Sequence, residues 1–186
     1  ASNNTVGGTP GIINSIDGAN NDLESPQLKN AYTTDNTTIV LVFDEPVDSL
    51  GAASVSNYTV DGGISIISAE PLSPSFNQVQ LKTNSVLTSN TVYTITANNI
   101  PDCKGNIIGT TNKAKVGLAA DASTGDIIVN EILFNPRSNA FDYVEFYNKS
   151  NKILDASKLY IANRNSSGVI SSITSLSTTP FYIFPT

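Results

Sequence analysis

Histidine, methionine and tryptophan are absent from the 186 residues, and cysteine occurs once, as Cys103. Without histidine the chain has no Ser–His–Asp or Cys–His nucleophile system, no ordinary general base near neutral pH, and few routes to a zinc site. A lone cysteine forms no internal disulfide and no cysteine metal cluster. Charge is scarce too. Only 14% of residues are Asp, Glu, Lys or Arg, well below the usual quarter, and the balance is −6 with a pI near 4.4. An acidic, lysine-poor surface repels phosphates, which argues against a nucleic-acid partner. No apolar run approaches the about 18 residues a membrane-spanning helix needs, so no membrane insertion is expected. No basic and apolar leader opens the chain, and no initiator methionine. The chain therefore reads as a piece of a longer precursor.

Asparagine, serine and threonine fill the gap left by charge, at roughly a third of the residues. Such a chain solvates its surface with amides and hydroxyls, as secreted β-proteins do. Apolar residues, at 39%, suffice for a core. With histidine missing, carboxylate chemistry, calcium binding or no chemistry remain. A binding or structural module is favoured over an enzyme.

Strand signals dominate. Thr38–Phe43 is β-branched and apolar and stops at Asp44-Glu45-Pro46, where proline lacks a ladder donor. Ser56–Val60 and Ile64–Ala69 flank Asp61-Gly62-Gly63 and predict a hairpin. Gln78–Thr83 and Val92–Ala97 alternate strictly. Gln27–Tyr32 and Lys113–Leu118 complete seven short strands, the spacing of an Ig-type sandwich. Its expected core includes Val40, Val42, Val79, Leu81, Tyr93 and Ile95. Helical periodicity is nearly absent; Ser85–Asn90 allows one turn.

The chain divides into residues 1–25, the end of a preceding module and a linker; 26–118, the sandwich; 119–125, a small polar linker expected to hinge two bodies; and 126–186, a second β block. In that block five strands are expected: Asp126–Phe134, Phe141–Asn148, Lys158–Ala162, Val169–Thr174 and Phe181–Phe184. The block stops directly after an apolar run and reads as incomplete. Ile127, Val129, Val144, Phe146, Ile161 and Phe184 are then expected to lack part of a covering sheet. Near the start, Gly7–Gly11 is a turn cluster and Ile12–Ile16 one short strand.

The middle block resembles the bacterial Ig-like domains of S-layer and other surface proteins. The resemblance is carried by Val42-Phe43-Asp44-Glu45-Pro46-Val47-Asp48, Ser56-Asn57-Tyr58-Thr59-Val60, Val92-Tyr93-Thr94-Ile95 and Asp102-Cys103-Lys104-Gly105-Asn106. It implies a spacer or adhesive sandwich without an active site. The last block resembles the first half of a lamin-tail domain, through Val129-Asn130-Glu131-Ile132-Leu133-Phe134-Asn135-Pro136 and Asp142-Tyr143-Val144-Glu145-Phe146-Tyr147-Asn148. Residues 1–16, with Gly8-Thr9-Pro10-Gly11 and Asn14-Ser15, resemble that family's other end. The resemblances together imply an all-β array: an Ig-like sandwich plus a second, incomplete lamin-tail sandwich, as in large exported surface proteins of Gram-negative bacteria.

Several residues carry candidate chemistry. Glu131 and Glu145, with Asp142 nearby, sit on adjacent strands, and paired carboxylates hydrolyse glycosides when about 5 Å apart. Alternation points Val144 and Phe146 one way and Glu145 the other, so a solvated face is favoured. The Asp102–Asn106 turn offers oxygen ligands but lacks the acidic ladder of a calcium loop; a plain turn is favoured. Asp17, Asn20, Asn21, Asp22 and Glu24 form a second oxygen-rich stretch with the same weakness. Cys103 reads as a spare, partly exposed thiol. Tyr143, Tyr147, Tyr160 and Tyr182 make a sugar-stacking platform only if they line one face. Asp48-Ser49-Leu50 resembles a short O-glycosylation acceptor, a hint of export.

The expectation is a non-catalytic structural or adhesive segment of a modular bacterial cell-surface or secreted protein, exposed outside the cell or on the outer membrane. The alternative is a carbohydrate- or protein-binding accessory region of an exported hydrolase. No catalytic, cofactor-binding or metal-ligating residue is assigned, and no cofactor. The candidate partners are a surface glycan or a protein, with the chain itself a monomer that makes contacts through its C-terminal block.

Overall fold

The computed structural model describes residues 22–135, 137 and 139–185. The Ile12–Ile16 strand, the Gly7–Gly11 turn, and Asp17, Asn20 and Asn21 lie outside the described residues.

Strands β1 (Leu28–Asp35) and β2 (Thr38–Phe43) form a tight hairpin. Asp35 closes it, its carboxylate accepting from the Thr37 N–H at 2.8 Å and the Thr38 hydroxyl at 2.7 Å. After β2 comes one helical turn, α1 (Ser49–Ala52). Asp48 caps it, accepting from the Gly51 N–H at 2.7 Å, the usual way to satisfy an orphan donor at a helix start. The Asp48-Ser49-Leu50 tripeptide is therefore a cap and first turn. A 3-10 turn, Val55–Asn57, leads into β3 (Tyr58–Val60). Strands β4 (Ile66–Pro71), β5 (Gln78–Thr83), β6 (Tyr93–Ala97) and β7 (Lys113–Val116) follow.

Two sheets result, ordered β1-β2-β5-β4 and β3-β6-β7. Lettered A to G in chain order they read A-B-E-D over C-F-G, the constant-type Ig sandwich. The fold class is all-β and Ig-like.

Details differ from the sequence reading. The Ser56–Val60 and Ile64–Ala69 segments do not form a hairpin: β3 pairs with β6 and β4 with β5, so the chain crosses between sheets at Asp61-Gly62-Gly63. Gly62 and Gly63 take φ of +67° and +77°, and a Cβ on Gly62 would lie 2.9 Å from the Tyr93 ring. Glycine there serves a crossover as well as it would a hairpin turn. An α-helical turn sits at Ser49–Ala52 and not at Ser85–Asn90, where Thr83 Oγ1 donates to the Ser85 carbonyl at 2.7 Å.

The core holds Ile39, Leu41, Phe43, Val79, Leu81, Tyr93, Ile95 and Val116, all 5% exposed or less. Each fully buried aliphatic side chain contributes about 1.5–3 kcal/mol relative to exposure. Of the expected set, Val79, Leu81, Tyr93 and Ile95 are in this core. Val40 and Val42 are not. Leu41 lies opposite Val79 and Ile39 opposite Leu81, so the odd-numbered residues of β2 face inward. Val40, beside Tyr32 and Gln80, is buried on the sheet's other side, and Val42 is half-buried.

Strand β6 starts at Tyr93, whose hydroxyl oxygen accepts from the Thr88 N–H at 3.0 Å. This ties the tyrosine at the start of strand F to backbone five residues upstream, in the manner of the Ig tyrosine corner. Tyr58 donates to the Ala52 carbonyl at 2.7 Å, and burial pushes its hydroxyl pKa well up.

The C-terminal block comprises β8 (Ala119–Ala120), β9 (Ile127–Leu133), β10 (Tyr143–Asn148), β11 (Ile153–Asp155), β12 (Tyr160–Arg164), β13 (Ile170–Ser175) and β14 (Tyr182–Ile183). They build three small sheets: hairpins β9-β10 and β12-β13, and β14-β11-β8. Buried apolar side chains concentrate in the last, at Ile153, Leu154 and Tyr182. Val129 and Ile161 are exposed, while Ile127, Val144, Phe146 and Phe184 are half-buried.

Candidate functional site

Two places gather polar residues from distant parts of the chain: an acidic cluster at one end of the sandwich, and the junction with the C-terminal block.

In the cluster, carboxylate oxygens of Asp22, Glu45 and Asp102 all lie within 4.8 Å of one another. Pro46 ends the pairing of β2, and Val47 bridges Asp102, so the turn after β2 is held against the 101–107 loop. Asp102 is nearly fully buried and organises that loop: it accepts from the N–H groups of Lys104 at 2.7 Å and Asn106 at 2.8 Å, and from Asn106 Nδ2 at 2.8 Å. Asn106 Nδ2 also donates to the Asp22 carbonyl at 3.0 Å. Burial alone would raise the Asp102 carboxyl; these hydrogen bonds outweigh it and hold it below the ordinary carboxylate range. Among the described residues Glu45 has no such donors. Burial, then the charges of Asp22, Asp102, Asp44 and Glu24, push its carboxyl up. Three carboxylates are ligands a hard cation accepts. The Asp102 oxygens already serve as turn acceptors, however, so the cluster reads as a turn scaffold with one electrostatically strained member. The sequence marked Asp22 and Asp102 but not Glu45, which nothing local distinguishes.

The other marked residues separate. Glu131 sits directly opposite Glu145 on the β9-β10 hairpin, both exposed. Glu131 accepts from the Tyr143 hydroxyl at 2.8 Å, and Glu145 from Asn130 Nδ2 at 3.1 Å. Asp142 accepts from the Asn135 N–H at 3.2 Å. Glu131 and Glu145 lie exposed on an open face, which is not the setting of glycoside hydrolysis. Tyr143 and Tyr147 share a face with Glu145 between them. Tyr160 stands on β12, and Tyr182 is buried, so the four tyrosines form no single platform. Cys103 is exposed.

The junction is built by residues that carry no motif. Ala119 and Ala120, inside the segment read as a linker, form β8 and pair in parallel with Ile153 and Leu154. Methyl side chains permit that close approach. Tyr182, opposite Asp155 in the same sheet, reaches the sandwich: its hydroxyl accepts from the Thr33 N–H at 3.0 Å and donates to the Thr33 carbonyl at 3.1 Å. Thr33 Oγ1 in turn donates to the Gly117 carbonyl at 3.1 Å. Asn30 Nδ2 donates to the Pro180 carbonyl at 3.0 Å, and Lys115 Nζ lies 5.8 Å from the Phe184 ring centre. A Cβ on Gly117 would lie 2.3 Å from Ile153 Cδ1 and 2.5 Å from the Thr91 carbonyl oxygen. Residues 121–126 are held as well. Lys152 forms an ion pair with Asp126 at 2.7 Å and donates to Ser123 Oγ at 2.8 Å. Beside the junction opens a polar cleft of about 500 Å³, lined by Thr33, Asp35, Asn36, Ser89, Lys158 and Tyr182 among others.

Among solved structures, the chain is similar to the S-layer protein rSbsC(31-844), at 18% identity over 80% of this chain and 19% of that one, with a TM-score of 0.47. It is similar to the N-terminal part of the bacterial S-layer protein SbsC, at 18% identity over 85% of this chain and 34% of that one, TM-score 0.47. For domains 1–6 of surface layer protein SbsC the values are 19%, 80%, 19% and 0.48. The chain thus spans only about a fifth to a third of the length of these proteins. No curated protein matches its sequence. The bacterial Ig-like domain family matches residues 23–117, just over half of the chain and the same stretch that folds into the A-B-E-D over C-F-G sandwich. The chain belongs to the bacterial Ig-like domain family.

Proposed function

We propose that this chain is a non-catalytic spacer segment of a modular bacterial cell-surface or secreted protein, one that holds neighbouring modules at a set orientation. The observation that carries this reading is the junction: Tyr182 binds both backbone groups of Thr33, and β8, two residues after β7, pairs with β11. A spacer needs stiffness between modules, and side-chain latches combined with a two-residue connection between β7 and β8 supply it. The amide- and hydroxyl-rich, charge-poor composition fits an exported surface protein, and a Gram-negative outer surface is part of the same proposal. So is the lamin-tail assignment of residues 126–186 and 1–16. Backbone NMR relaxation tests the reading: residues 28–116 and 153–155 should tumble with one correlation time. Two distinct correlation times would overturn the spacer reading.

The cleft at the junction favours a second reading, a glycan-binding accessory region. Its walls present hydroxyls and an amide at Thr34, Asn36 and Ser89, groups suited to a sugar. Binding on a glycan array that is lost on Asn36→Ala would select this alternative.

A further inference from the structure

From the polar cleft beside the junction, we infer that an uncharged oligosaccharide binds to the sandwich and the C-terminal block at once, bridging them through Asn36 and Asp155. This rests on the glycan reading of the cleft and adds to it the second wall and the charge of the ligand. At about 500 Å³ the cleft falls within the roughly 300–1,000 Å³ of small-molecule sites. Its sides come from distant parts of the sequence. Asn36 lies in the turn between β1 and β2, and Ser89 in the connection before β6. The Leu87 N–H, donating to the Asn36 carbonyl at 2.8 Å, holds these two segments together, and Ser89 bridges Leu118. From the C-terminal block, Asp155 ends β11 and Lys158 closes the 3-10 turn Ala156–Lys158.

Asp155 presents one oxygen and anchors the other. The residue is 9% exposed, and its Oδ1 accepts from the Ser157 N–H at 2.9 Å, the Ser157 hydroxyl at 2.8 Å and the Phe181 N–H at 3.3 Å. Oδ2 has no hydrogen-bond partner among the described residues. No buried side-chain oxygen among them goes without a partner, so Oδ2 meets solvent, and Asp155 lines the cleft. A carboxylate oxygen fixed in this way is a strong acceptor for a hydroxyl hydrogen. The side chains of Asn36 and Ser89 are likewise without hydrogen-bond partners among the described residues. An amide, a hydroxyl, a carboxylate and the Lys158 ammonium offer donors and acceptors together, a mixture that sugar hydroxyls satisfy because each both gives and accepts. Charge selects the saccharide. Asp35 and Asp155 line the cleft with Lys158, and ion pairs add Lys82 beside Asp35 at 3.5 Å and Asp121 beside Lys158 at 3.8 Å. Three carboxylates against two ammonium groups, on a chain of net charge −6, repel a uronic or sialic acid.

A glycan array that carries neutral oligosaccharides beside uronic- and sialic-acid ones tests this, followed by titration calorimetry of the full chain with the tightest neutral trisaccharide. Binding is expected, and tighter than for any acidic oligosaccharide. Asp155→Asn keeps Oδ1 and replaces only the free oxygen, turning an acceptor into a donor. It should weaken binding at least about tenfold, as losing a hydrogen bond to a charged group does. Lys158→Ala, at an exposed position, should weaken binding severalfold and leaves the core untouched. Amide exchange at Phe181 confirms that Asp155→Asn keeps its anchor; if it does not, Lys158→Ala decides. Binding that falls on Asn36→Ala but survives Asp155→Asn and Lys158→Ala places the ligand on one wall, which overturns the bridge and leaves the glycan reading standing. An acidic oligosaccharide bound as tightly as the neutral one overturns the choice of ligand. A chain that binds nothing on the array overturns the glycan reading and the bridge with it. The spacer reading stands or falls separately, on the correlation times.

Discussion

The Tyr182 hydroxyl and the Thr33 backbone form a two-way hydrogen bond across 149 residues of sequence: the N–H gives to the phenol at 3.0 Å and the phenol gives to the carbonyl at 3.1 Å. Among the described residues β1 is an edge strand of its sheet, and none of their strands pairs with these backbone groups on that side. The tyrosine satisfies them as a neighbouring strand would, and it covers an edge that would otherwise invite association.

Tyr182→Phe should leave the Ig-like core intact and loosen the junction. The variant loses about 1–2 kcal/mol of docking, and leaves a donor and an acceptor unmet. Hydrogen exchange is the readout: the Thr33 amide should exchange faster, while Leu41 and Ile95 keep their protection. Unchanged exchange at Thr33 would count against the latch.

Gly117→Ala should destabilise the junction by about 1–3 kcal/mol, the range for overpacking a filled site. Ile153 Cδ1 can swing away from the new methyl, but the Thr91 carbonyl at 2.5 Å belongs to the backbone. Ile153→Val should therefore rescue Gly117→Ala only in part. Full rescue in a denaturation experiment would show that the backbone yields and the contact is soft.

Tyr93→Phe removes the acceptor for the Thr88 N–H while keeping the ring in the core. A cost of about 1 kcal/mol is expected, seen as a lower urea midpoint with an unchanged m-value. A changed m-value would mean that the 84–92 connection rearranges instead.

Glu45→Gln should stabilise the protein at neutral pH and do nothing in acid. The Glu45 carboxyl is raised in the folded state by burial and by Asp22, Asp102, Asp44 and Glu24. Such a group binds its proton more tightly folded than unfolded. Its contribution favours folding below the unfolded pKa and is lost as pH rises through the folded one. Replacing it removes that loss, so Tm at pH 7 should rise by about 1–3 °C, with no difference below about pH 4. A rise of the same size at both pH values would point to packing.

Much of the sandwich is legible in the sequence because its strands are half-buried and alternate. Thr38–Phe43 and Gln78–Thr83 have the same bounds in the sequence pattern and in the fold, since proline at 46 and strict alternation leave no other choice. The inward face of β2 was not legible. All but one of its residues are buried, so alternation is silent, and only the opposing Val79 and Leu81 show which set faces the core. Pairing of β3 with β6 was hidden for another reason: Asp61-Gly62-Gly63 suits a hairpin and a sheet crossover equally, and the choice is made by distant strands. In the C-terminal block the bulge at Asn130 breaks the period on which face assignment depends. The acidic cluster was half legible, and Glu45 joins it only through the Val47–Asp102 bridge. Thr33 and Tyr182 carry no motif, and their pairing is a property of the folded chain alone.

The passage from β7 to β8 takes only Gly117 and Leu118. On the spacer reading proposed above, so short a connection, with the strand on its far side already paired with β11, would keep either body from swivelling freely about the chain. Torque applied to one would then be delivered to the other. A row of modules joined in this way would behave as a shaft with a fixed pitch, and the rotation at each joint would decide which side of the row faces outward at every step.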